Sequence, residues 1–182
     1  MRRWAIVSEP TRLKRADIHR LFGLLDAELG AEGVDGEIYL VGGAVMCLVL
    51  DARASTRHLG AFFRPTTAIR MAAARVAARA GVPDDWLNDA VKGYLNPRGD
   101  FDSYLELSHL RVFVARPEYL LAMKCASMRL GEEFHDLDDV RYLLRYLNIV
   151  TVDEALAIVT RYFSEQQLPP KSRLALEELL AR

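Results

Sequence analysis

Three groups of residues in this 182-residue sequence have types and spacings suited to phosphate and metal chemistry. Gly42-Gly43 stands between the apolar run Glu37–Val41 and the apolar run that starts at Ala44. A glycine pair at such a place lets the backbone approach a phosphate near the start of a helix. It also serves as nothing more than a tight strand-to-helix turn. Lys124, with Arg129 about a turn beyond it, is a cation inside an apolar helical pattern. It can face a polyphosphate, or it can snorkel to solvent. Asp136, Asp138 and Asp139 open a further helical pattern. Carboxylates are the hard ligands that Mg²⁺ takes, and they are equally favoured in the first turn of any helix. His58 is an imidazole suited to Zn²⁺, Ni²⁺ or Cu²⁺ rather than Mg²⁺, or to a structural role. His19, His109 and His135 show no partner spacing.

Other chemistries are absent from the sequence. It contains no Gly-x-Ser-x-Gly elbow and no Walker-type phosphate loop. Cys47 and Cys125 sit in apolar helical patterns and read as buried thiols, not as a disulfide or a zinc site. The formal net charge is -1, so no global field draws the chain to nucleic acid or membrane. The charge is uneven, though. Arg53, Arg57, Arg64, Arg70, Arg75, Arg79, Lys92 and Arg98 face only Asp84, Asp85 and Asp89 between Ala52 and Arg98. That basic stretch reads as a phosphate attractor or as scattered solvated arginines. Met1-Arg2-Arg3-Trp4 is followed by too short an apolar run for a signal peptide, and no run reaches transmembrane length, so a cytoplasmic protein without membrane contact is expected.

The elements that must hold these residues follow from periodicity. Helices are predicted at Arg12–Leu29, Ala44–Leu50 and Ala68–Ala80, with a short one from Asp84 through Trp86 and Leu87 to Ala90. Strands are predicted at Glu37–Val41, Leu59–Phe63, Ser103–Leu107 and Leu110–Ala115. Beyond Pro117 the pattern is helical: Glu118–Leu130, Leu137–Leu147, Val152–Tyr162 and Pro170–Ala181. Thr151 with Glu154 forms a capping box, and Pro169-Pro170 opens the last helix. The fold class is therefore α/β (α+β). Residues 1–116 form an αβ core with a mixed sheet, and residues 117–182 a helical region packed on it. Glu37–Val41 and Leu59–Phe63 should be neighbouring strands, with His58 near the end of the second.

Taken in order, Leu40-Val41-Gly42-Gly43-Ala44-Val45, the stretch Arg53 to Phe63, Asp85-Trp86-Leu87-Asn88, Tyr119 to Lys124 and Asp136 to Val140 resemble the AbiEii-type nucleotidyltransferases. Many of these are toxins of bacterial toxin–antitoxin pairs. The resemblance covers nearly the whole chain and implies a nucleotidyltransferase-like fold. It assigns Gly42, Gly43, Arg53, Thr56, Lys124 and Arg129 to nucleotide binding, and Lys124, Asp138 and Asp139 to catalysis. It implies Mg²⁺ if the protein is active. It also implies an NTP, tRNA, an antitoxin protein or a further copy of the chain as partners. Where the family carries aspartate, any residue, aspartate, this chain reads His58-Leu59-Gly60. Both metal carboxylates are replaced, and Asp102 and Glu106 are the remaining acidic candidates on nearby strands. The expectation is a degenerate protein that keeps the fold and nucleotide or RNA binding. The alternatives are an active toxin that modifies tRNA and a non-catalytic interaction module.

Overall fold

The computed structural model of the chain describes residues 11–96, 99–129 and 135–181. Readings that fall on 1–10, 97–98 and 130–134, the basic N-terminus and Leu130 among them, lie outside these residues. The described residues form a mixed αβ fold. Its elements are α1 (Arg15–Ala31), β1 (Gly36–Leu40), α2 (Gly43–Leu48), β2 (Leu59–Arg64), α3 (Thr66–Ala80), β3 (Leu87–Asn88), β4 (Phe101–Glu106), β5 (Leu110–Ala115), α4 (Pro117–Ala126), α5 (Asp136–Tyr146), α6 (Val152–Val159) and α7 (Pro170–Leu180). One sheet contains all five strands in the order β3-β2-β1-β5-β4. β1 is antiparallel to β2 and parallel to β5, so the two predicted strands are neighbours and His58 directly precedes the second.

Strand alternation divides the sheet into two unlike faces. Ile38, Leu40, Leu59, Ala61, Phe63, Leu110, Val112 and Val114 are buried, on the side where α1 and α3 pack together. The opposite face is polar at one end and aromatic in the middle. There the register aligns Arg64, Glu37, Arg111 and Glu106 in one row across four strands. Phe62, Tyr39, Phe113 and Ser103 form the next row.

The segment after α3 departs from the sequence expectation. Asp84 to Ala90 is not a helix. Leu87-Asn88 instead pairs in parallel with Leu59-Gly60, and a short 3-10 helix follows only at Ala90–Tyr94. Tertiary anchoring overrides the local cap signal. Trp86 is fully buried, its indole N–H donates to the Ala73 carbonyl at 3.0 Å, and its own carbonyl accepts from Leu59 N–H at 2.6 Å. Similarly α1 starts at Arg15, not Arg12, because Leu13 exchanges both backbone hydrogen bonds with Thr56, at 2.8 and 2.9 Å.

The C-terminal helices continue the same hydrophobic core. Every residue from Tyr119 to Cys125 is buried, so α4 is enclosed on all sides, and burial pushes the Cys125 thiol up to about 12. α4 packs against α5 and α6, and α7 against α6. Tyr142 Oη donates to the Leu50 carbonyl at 2.5 Å and Tyr162 Oη to Asp100 at 2.7 Å, which ties this region to the αβ core. Thr151 and Glu154 cap α6 reciprocally. Among the described residues no helix is long and apolar enough to cross a membrane.

Candidate functional site

Lys124 sits on the last turn of α4, between the buried Met123 and Cys125. Only 9% of the residue is exposed, so its ammonium needs anionic partners. α5 supplies two from its first turn. Lys124 Nζ donates to Asp136 Oδ1 at 2.7 Å and lies 2.7 Å from Asp139 Oδ2. The second contact is not aligned for a hydrogen bond, so it is a charge–charge contact. Asp136 and Asp139 are i and i+3 on one helix, which puts both on the face toward α4.

The cluster extends from there in two directions. Arg53 Nε and Nη2 donate to Asp139 Oδ1 at 3.0 and 2.5 Å. The Arg129 side chain and backbone N–H both donate to Asp136 Oδ2, at 3.1 and 3.0 Å. Burial pushes the Asp136 carboxyl up, but the Lys124 ammonium and the Arg129 contacts outweigh it and hold it below the ordinary carboxylate range. The connected group holds Arg53, Lys124 and Arg129 against Asp136 and Asp139.

Arg53 also brings the cluster to the glycine turn. Gly42 has φ +62, a conformation that favours glycine, and it precedes α2. A Cβ on Gly43 would stand 3.0 Å from Thr56 Oγ1 and 3.3 Å from Arg53 Nη1. Thr56 Oγ1 donates to the His58 carbonyl at 3.1 Å. Gly43, Thr56, Arg53, Lys124 and Arg129, widely separated in sequence, are thus linked through direct contacts and the two α5 carboxylates.

Asp138 does not join this group. It is 71% exposed at the side chain and pairs with Arg141 at 2.7 Å on the outer side of α5. Asp136, which the resemblance did not assign, takes the inward place; the i, i+3 spacing to Asp139 was its signal in the sequence. His58 is exposed before β2. Gly60 lies on the outer sheet face, and a Cβ there would stand 3.2 Å from Val91 Cγ1. Asp102 and Glu106 lie on edge strand β4, separated from β2 by β1 and β5, and Asp102 is 3.7 Å from Arg116.

These residues do not suit Mg²⁺. The two converging carboxylates already hold the Lys124 ammonium between them, where a cation would stand. His58 and Gly60 offer no hard oxygen. Among the described residues no group of three or more His, Cys, Asp or Glu side chains is arranged to hold a metal ion. A shallow depression of about 340 Å³ lies at the other end of β1, lined by Asp35, Gly36, Glu37, Arg64, Pro65 and Arg111, away from the ion cluster.

Compared with known proteins, the chain matches no family model, no curated protein and no solved structure.

Proposed function

We propose that this chain is a nucleotidyltransferase-fold protein that has lost metal-dependent transfer and retains an anion-binding cleft for a nucleotide or RNA phosphate. One observation carries the reading: the Gly42-Gly43 turn, Arg53 and Thr56 stand against a buried Lys124–Asp136–Asp139 ion cluster. An accidental sequence match gives no reason for these residues to meet. Arg129, 61% exposed at the side chain, and Arg53, 23% exposed, are the cations that reach solvent at the rim. A guanidinium offers paired donors to phosphate oxygens while keeping its carboxylate partner.

The sheet supports loss of transfer. Phosphoryl chemistry needs charge neutralised where it develops on the transferring group. The outer face beside the glycine turn carries Gly60 under Val91, then Phe62, Tyr39 and Phe113, and none of these binds a hard cation. Lys124 is committed to Asp136 and Asp139, so it acts as the anchor of the cluster rather than as a mobile phosphate ligand.

Calorimetry with each NTP, with and without Mg²⁺, tests the reading. The expected result is weak binding that is indifferent to Mg²⁺ and reduced about tenfold in Arg129→Ala. A binding enthalpy that requires Mg²⁺ would contradict it.

A further inference from the structure

The outer face of the sheet has a charge order that matches itself when reversed. Reading across β2, β1, β5 and β4, the first row is Arg64, Glu37, Arg111, Glu106: plus, minus, plus, minus. Glu37 accepts from both arginines, with Arg64 Nε at 2.6 Å and Arg111 Nη2 at 2.5 Å, and from Tyr39 Oη at 2.9 Å. The Arg64 contact comes first in holding its carboxyl below the ordinary range. The arginines keep 62% and 56% of their side chains exposed, and Glu106 is exposed.

The second row, Phe62, Tyr39, Phe113, Ser103, is half-buried except for exposed Ser103. Tyr39 and Phe113 stack on one another with centroids 4.7 Å apart and planes 11° apart, and Phe62 leans on Tyr39 at 5.8 Å. Phe101 meets Tyr39 edge-on at 5.2 Å and the Arg64 guanidinium stands 5.6 Å from the Tyr39 ring centre, so the Tyr39 ring is occupied by its own neighbours. A nucleobase needs a ring face to stack on, and a phosphate strand needs a net positive track. This face offers neither.

We propose that this face is the contact surface of a homodimer, in which two copies pack sheet against sheet about a twofold axis parallel to the strands. Such an axis reverses the order of strands while keeping the rows level. Arg64 then meets Glu106 of the other copy, Glu37 meets its Arg111, and both relations occur twice, so every cation faces an anion. In the aromatic row, Phe62 comes over the small Ser103 and Tyr39 over Phe113, so large side chains meet small ones at the edges. An isologous contact requires a surface to be complementary to itself in this way. Aligned sheets pack about 10 Å apart, which half-buried rings and long arginines can fill. The inference is independent of the nucleotide-binding reading.

Two rows of four residues are fewer than the roughly 20–30 residues a side of a standard interface, so a weak dimer is expected, with Kd of about 10–100 µM. Sedimentation of the full chain from about 1 to about 500 µM should show that equilibrium, weakened by added salt. Arg64→Glu and Glu106→Arg each set like charges opposite one another across the axis, and each should weaken self-association about tenfold or more. The symmetry makes a sharper demand. Mixed together, the two variants restore opposite charges at every position, so they should form a heterodimer with near wild-type affinity although neither dimerises alone. Each variant also sets like charges side by side in its own sheet, so a native melting transition is confirmed first. Ser103→Lys, at an exposed position on β4, provides a second variant and should also abolish the dimer. A wild-type chain that stays monomeric to about 500 µM overturns the proposal, as does a mixture that fails to pair or a monomer that binds single-stranded RNA through Tyr39.

Discussion

A Cβ on Gly60 would stand 3.2 Å from Cγ1 of Val91, the side chain that the 3-10 helix Ala90–Tyr94 lays over this part of β2. The outer face at that point is filled by a valine that lies just beyond the short helix predicted from Asp84 to Ala90. Placing carboxylates on this part of β2 therefore requires a change in the covering segment as well. The variant His58→Asp with Gly60→Asp should lose about 1–2 kcal/mol of stability through overpacking. It should show no Mg²⁺ binding by calorimetry. Adding Val91→Ala should recover part of the loss; if the double variant is as stable as wild type, Val91 does not close the position.

Lys124 touches both buried α5 carboxylates, Asp136 and Asp139, and its removal would leave two buried charges with weakened compensation. Lys124→Met should cost about 3–5 kcal/mol in urea unfolding, because breaking one side of a buried ion cluster costs more than its net contribution. An unchanged denaturation midpoint would mean that Asp136 and Asp139 are solvated in the native state.

Acid should loosen the same cluster. The folded Asp136 carboxyl lies below its ordinary value of 3.8, despite burial, because Lys124 and Arg129 favour the charged form. A carboxyl depressed in the folded state adds stability that is complete above the unfolded value and is lost as pH falls through the folded value. Wild-type unfolding free energy should thus fall more steeply than that of Asp136→Asn between about pH 5 and pH 2. Parallel curves for the two proteins would remove Asp136 from the account.

The α6 cap offers a local test. Thr151 Oγ1 accepts from Glu154 N–H at 3.2 Å, and Glu154 accepts from Thr151 N–H at 3.1 Å. Thr151→Ala should cost about 1 kcal/mol of stability. A thermal melt that is unchanged would show that α7 and the core hold α6 without its cap.

The sequence shows these features to different depths. β1, β2 and β5 are visible because apolar residues alternate toward α1 and α3, and burial enforces the period. The capping box at Thr151 is visible because both partners lie within one turn. The 87–88 strand is not, since a two-residue pairing held by Trp86 has no period of its own and Asp84 mimics a helix cap. The ion cluster is half visible. Lys124, Arg53 and Asp139 can be named from the resemblance, whereas the choice of Asp136 over Asp138 depends on which face of α5 meets α4. The alternating row on the outer sheet face is invisible before the register is known, because its four members come from four strands.

The most direct test of the central claim is label transfer. Pure protein is incubated with radiolabelled NTPs, Mg²⁺ or Mn²⁺ and total tRNA, and the RNA and protein are then resolved. No label above background is expected on either. Robust transfer that disappears in Arg53→Ala, in a variant that still melts as a folded protein, would contradict it.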